Sequence, residues 1–84
     1  MIATTGSTVQ ATLRQFMSDV FFVDNVEPDA SFLEQGIIDS LGVVELVAFV
    51  ERTYGIKCAD EDLVPENLDS LNKVAAFVER KRSA

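Results

Sequence analysis

The stretch Gly36-Ile37-Ile38-Asp39-Ser40-Leu41-Gly42-Val43-Val44-Glu45-Leu46-Val47 decides the reading of this chain. A loop glycine precedes an Asp-Ser pair, and behind the pair the apolar residues Val43, Leu46, Val47, Val50 and Tyr54 recur three and four apart. That pattern predicts a helix from Leu41 to Tyr54, with Ser40 as its N-cap and Gly55 as its C-terminal stop. Unpaired N–H groups and the positive dipole end at such a helix start favour an anion beside the serine oxygen. Ser40 is thereby the leading candidate for a side chain that carries a group. The plain alternative is a serine that only caps its helix.

The same rhythm predicts the other elements. Val9, Leu13, Phe16, Met17 and Val20 form one apolar stripe, so a first helix runs from Ser7 or Thr8 to Val20. Residues 23–39 make a long connection, in which Pro28 keeps Glu27 out of helical geometry and Phe32 and Leu33 anchor the core. In so small a domain a connection of that length is functional or packed. A short third helix is expected around Asp60 to Val64, pinned by Ile56 and Leu63 and ended by Pro65. The last helix starts at Asp69 or Ser70, buries Leu71, Val74, Ala75 and Val78, and fades at Arg82. No strand-like alternation occurs. The expected fold is all-α, an antiparallel-type four-helix bundle of three longer helices and one short one. It forms a single domain over 1–84, with residues 1–6 a flexible start and 83–84 frayed.

Composition narrows the function. The 84 residues carry 14 acidic and 7 basic side chains, a net charge of −7. Nucleic-acid binding needs a basic patch and is not expected; an acidic surface suits partners with basic docking faces. Lys73, Arg80, Lys81 and Arg82 are expected to complement a helix C-terminus. No apolar run is long enough to span a membrane, and residues 1–8 have no secretory pattern, so a cytoplasmic protein is expected; it is also expected to be a monomer. There is no histidine, which excludes a Ser-His-Asp triad, a Cys-His pair and histidine metal sites. Cys58 reads as a half-buried packing residue. The run Asp60-Glu61-Asp62 lacks the alternating ligands and glycine of a calcium loop and reads as a solvated helix start; no metal is expected.

Asp-Ser-Leu occurs at 39–41 and again at 69–71, and Ala-Phe-Val-Glu-Arg at 48–52 and 76–80. The two echoes have different offsets, so they reflect two amphipathic helices of similar design, not a repeat. Ser70 follows a short linker and reads as an ordinary cap. Ser40 ends the long loop after Gly36, a residue that lets the backbone approach another molecule closely.

Over nearly its whole length the chain resembles the acyl carrier proteins, a family that includes peptidyl and D-alanyl carriers. The resemblance rests on Gly36-x-x-Asp39-Ser40-Leu41 opening a helix that continues Gly42-Val43-Val44-Glu45-Leu46-Val47. It implies an acyl-carrier-like bundle in which Ser40 receives 4′-phosphopantetheine from coenzyme A through a phosphopantetheinyl transferase. It implies no catalysis by the chain itself, which holds an acyl or aminoacyl group as a thioester and presents it to partner enzymes. Asp39 would flank the attachment site and help position the transferase or its metal, or simply add a capping carboxylate. Leu41, Val44, Glu45, Ala48 and Glu51 match partner-docking positions, while Ile37 and Ile38 touch the arm or a partner, or anchor the core.

Two positions depart from fatty-acid carriers, which usually place acids where this chain has Gly42 and Arg52. The Gly-Ile-Ile-Asp-Ser-Leu wording resembles stand-alone aminoacyl, peptidyl or D-alanyl carriers, so an adenylating aminoacyl or acyl ligase is the expected loading partner. Alternatives are a dedicated acyl carrier for fatty-acid, lipid or polyketide synthesis, and a small helical interaction module with no prosthetic group.

Overall fold

The structure, a computed structural model, describes residues 5–83, with side chains for 9–82. The expected flexibility of residues 1–4 and fraying of residue 84 lie outside the described residues. Residues 5 and 6 are already helical, and Ser83 still belongs to the last helix.

Helix α1 spans Thr5–Phe21. Val9, Leu13, Phe16 and Met17 are buried along it as their spacing requires. Val20 is not; it is 38% exposed, and the half-buried Phe21 closes the stripe in its place. The Phe21 ring meets Phe16 edge-on at 5.7 Å, and Phe16 stacks on Phe49 of the next helix at 4.2 Å. Aromatic pairs in these geometries stabilise by about 0.5–1.5 kcal/mol beyond their area. They join the end of α1 to helix α2, Ser40–Tyr54.

The connection over residues 22–39 is packed. Phe32 is buried and donates its N–H to the Asp69 carbonyl at 2.8 Å, while the Asn72 N–H reaches the Pro28 carbonyl at 3.0 Å. Asp69 accepts again through its side chain, from Ser31 Oγ and from the Leu33 N–H. Satisfying backbone groups on the start of another helix is what lets so long a loop lie against a core. Leu33, expected as a second anchor, is 49% exposed.

After Gly55, whose φ of 65° and N–H bond to the Glu51 carbonyl end α2, the chain makes a 3₁₀ turn at Asp60–Asp62. Helix α3 follows at Pro65–Leu68, so Pro65 begins a helix where the sequence reading had it end one. The reason is its missing N–H and fixed φ, both harmless at a first helical position. Ile56 is buried, but Leu63 is 42% exposed. Helix α4 spans Leu71–Ser83 and buries Leu71, Val74, Ala75, Val78 and, in addition, Phe77. It packs mainly on α1 and α3. No strand occurs among the described residues.

The basic residues of α4 do more than complement a dipole. Lys81 Nζ lies 2.8 Å from Asp62 Oδ2, and Arg80 donates to Asn67 at 2.8 Å. Arg82 sits over the Tyr54 ring. Together they tie α4 to the acidic turn, to α3 and to the end of α2.

Candidate functional site

The head of α2 is built by Asp39. Its extended backbone (φ −106°, ψ −169°) stops the helix, and its Oδ1 accepts the Gly42 N–H at 2.9 Å. The cap expected at Ser40 therefore belongs to its neighbour, and Ser40 is the first helical residue. A carboxylate caps as well as a hydroxyl, and its charge also meets the helix dipole favourably. The consequence is chemical: Ser40 has no capping duty, and its side chain is exposed at the positive end of α2. Ser70, its sequence double, is 2% exposed and its Oγ accepts the Lys73 N–H at 3.1 Å. One of the two hydroxyls faces outward and the other is locked into the core.

Beside Ser40 lies a cleft of about 290 Å³, lined mostly by apolar side chains including Phe32, Ile38, Val43 and Leu68. Leu33 and Leu63, the two expected anchors that proved exposed, also line it.

Along α2, Leu41 is 76% and Val44 65% exposed, and Glu45 and Ala48 are exposed with them. Their three- and four-residue spacing puts all four on one face. Glu51 continues that face in sequence, but it is half-buried and its Oε2 accepts the Cys58 N–H at 2.8 Å. It holds the following loop onto α2. Ile38, at 3% exposure, is a core residue; Ile37 is half-buried against the core.

Gly42 is a packing position that its sequence neighbours alone do not reveal. A Cβ there would stand 2.8 Å from Ile38 Cγ2 and 3.0 Å from Phe21 Cε1. The first distance is shorter than real Cβ contacts and the second is tight, so packing disfavours an acid at this position unless Ile38 shifts. A glycine inside an otherwise regular helical pattern was the available signal.

Cys58 is half-buried as expected. Burial, and then the nearby Glu51 and Asp62 carboxylates, push its thiol above its ordinary value. Asp62 accepts the Ala59 N–H at 2.9 Å besides pairing with Lys81, so the acidic run is a capped turn. No grouping able to hold a metal ion occurs among the described residues, and no helix there is long and apolar enough to cross a membrane.

Comparison with known proteins agrees with this geometry. The family described as "Phosphopantetheine attachment site" matches residues 11–78. The meromycolate extension acyl carrier protein of Mycolicibacterium smegmatis is 32% identical over 81 residues, covering 94% of this chain and 80% of that one. The acyl carrier protein of Bdellovibrio bacteriovorus is 38% identical over 61 residues, 73% of this chain and 76% of its own. The D-alanyl carrier protein of Abiotrophia defectiva is 30% identical over 56 residues, 67% and 71% of the two chains. A chain from a crystal structure of FAD-dependent dehydrogenase superposes with a TM-score of 0.70 at 28% identity, over 79% of this chain and 97% of that one. The family match and these relatives imply covalently attached 4′-phosphopantetheine as the cofactor. This chain belongs to the phosphopantetheine-attachment family of acyl and peptidyl carrier proteins.

Proposed function

We propose that Ser40 carries the 4′-phosphopantetheine arm, and that the protein tethers an acyl or aminoacyl group for partner enzymes without catalysing a reaction of its own. The observation that carries this reading is the division of labour at the head of α2, where Asp39 caps and Ser40 is left exposed beside an apolar cleft. Attachment forms a bond from Ser40 Oγ to the phosphorus that bears pantetheine in coenzyme A. The pyrophosphate bond breaks, adenosine 3′,5′-bisphosphate leaves, and the hydroxyl proton passes to a base on the transferase. When bound, the group supplies a thiol that holds the cargo as a thioester. The residues around Ser40 suit it: the helix dipole favours its phosphodiester, and Phe32, Ile38 and Val43 offer apolar surface alongside. Tethering of this kind raises the effective concentration of cargo at each partner's active site.

Leu41, Val44, Glu45 and Ala48 form the face that partners meet, apolar with an acidic edge. The loading partner is an adenylating aminoacyl or acyl ligase, and the protein works in the cytoplasm with the coenzyme A pool. The likeness to a meromycolate extension acyl carrier protein favours a second reading in which the cargo is a fatty acyl chain. Intact mass before and after incubation with coenzyme A and a broad-specificity phosphopantetheinyl transferase, followed by peptide mapping, tests the attachment. One added phosphopantetheine on Ser40, absent in Ser40→Ala and retained in Ser70→Ala, is expected. Loss in both variants while both stay folded would overturn the choice of serine. An unmodified, folded parent chain would favour an interaction module without an arm. Loading assays with amino acids against fatty acids separate the two cargoes.

A further inference from the structure

The corner where α1 ends holds an aromatic ring that is almost wholly exposed. Phe22 is 86% exposed, more than Leu41 or Val44, and its backbone sits at φ 58°. A bulky side chain in the left-handed region is a genuine outlier, and a helix that ends there usually places glycine or asparagine. The same fold follows that rule at the end of α2, where Gly55 has φ 65°. At Phe22 both the strain and the exposed apolar area would vanish with glycine. Strained, exposed residues of this kind concentrate at sites that act on something else.

We propose that Phe22 is a recognition residue that inserts into an apolar pocket, rimmed by basic side chains, on the transferase that modifies Ser40. The inference rests on Ser40 being the attachment site. Three observations select this occupant. The neighbouring Phe21 ring touches the head of α2, its Cε1 lying 3.0 Å from where a Cβ on Gly42 would stand. A hollow of about 270 Å³ lined by Val23 and Ile37, among others, continues from the corner toward the attachment loop. Phe22 thus belongs to the end of the molecule that presents Ser40. A transferase has to bring its catalytic groups to Ser40 Oγ itself, whereas later enzymes meet the cargo at the end of a long arm. The transferase is therefore the partner obliged to cover this corner. Charge sets the rim: up to residue 51 the chain carries eight acidic residues against one basic, and of these Asp24, Glu27 and the basic Arg14 line the hollows at this corner. A central aromatic anchor inside a complementary charged rim is a common form of protein recognition.

The test uses the full apo chain with coenzyme A and a phosphopantetheinyl transferase, measuring kcat and KM for the parent, Phe22→Gly and Phe22→Tyr alongside thermal melts. Phe22→Gly is expected to melt at or above the parent temperature, raise KM about tenfold and leave kcat within about twofold. Phe22→Tyr keeps the ring and should stay near the parent, and KM for the parent should rise with salt. If Phe22→Gly does not melt cooperatively, Phe22→Asn serves in its place. A KM within about twofold of the parent, with Ser40 still modified, overturns the role of Phe22 and leaves the attachment reading standing. Failure of the folded parent to be modified removes both. A dimer of the parent that Phe22→Gly dissolves, with transfer kinetics unchanged, would assign the ring to a second copy of this chain and overturn the proposal.

Discussion

Replacing Gly42 by alanine sets two effects of opposite sign against each other. In an open helix the change gains about 1 kcal/mol, because alanine loses less backbone freedom on folding. Here the new Cβ would stand 2.8 Å from Ile38 Cγ2 and 3.0 Å from Phe21 Cε1, where relaxed carbon contacts lie at roughly 3.5–4.0 Å. The Phe21 ring is half-buried and can tilt away. Ile38 is 3% exposed, and its Cγ2 branches from a stiff Cβ, so it yields only if the attachment loop moves with it. Overpacking of this kind costs about 1–3 kcal/mol and outweighs the helix gain. The expected net loss is about 1 kcal/mol, a Tm lower by about 4–8 °C in a domain of this size. Thermal and urea unfolding followed by circular dichroism measure it. Ile38→Leu moves the branch point off Cβ and removes the obstructing atom, so Gly42→Ala on that background should become neutral or stabilising. A rise in Tm for Gly42→Ala alone would refute the account. So would the same loss in both backgrounds, since the clash with Ile38 would then not be its source. Gly42→Asp is expected to lose at least as much as alanine, so an acid at this position cannot be transplanted from fatty-acid carriers without repacking Ile38.

Asp39→Ala should destabilise by about 1 kcal/mol through loss of the α2 cap, and Ser70→Ala by a similar amount at α4. Ser40→Ala should change stability by a few tenths of a kcal/mol at most, and equal losses for Asp39→Ala and Ser40→Ala in urea unfolding would contradict the cap assignment. The hydrogen bond from Lys81 holds the Asp62 carboxyl below its ordinary value of 3.8. The folded pKa being the lower, the stability advantage of the parent over Asp62→Asn should be complete above pH about 4 and disappear as pH falls through the folded value; an advantage undiminished in acid would refute the pairing. Burial, and then Glu51, raises the Cys58 thiol. In the modified protein iodoacetamide near neutral pH should therefore alkylate the arm's thiol well before Cys58, and Glu51→Gln should speed reaction at Cys58. Peptide mapping after timed quenching reads both rates.

Sequence alone determined the all-helical class, the three longer helices, most of the core and the stretch proposed to carry the function. Those follow from spacing: Val9, Leu13, Phe16 and Met17, or Leu71, Val74, Ala75 and Val78, bury one face of a helix wherever that helix is placed. What spacing leaves open is which of two neighbouring groups reaches a given partner. Asp39 and Ser40 are both good caps, and only the turn of the backbone at Asp39 decided that its carboxylate meets the Gly42 N–H while the serine faces outward. Pro65 is compatible with the end of one helix or the start of the next, and the path of the chain after the 3₁₀ turn selected the start. Leu33 and Leu63 carry the same apolar side chain as Leu13 and Leu46, yet they line an open cleft while Leu13 and Leu46 are buried. Gly42 is permissive as a residue type and became obligatory only where Ile38 and Phe21, distant from each other in the chain, converge on it. Local patterns record each residue's preference for burial or hydrogen bonding; the folded backbone and its packing decide which preference is met, and at the head of α2 the cap at Asp39 leaves Ser40 exposed.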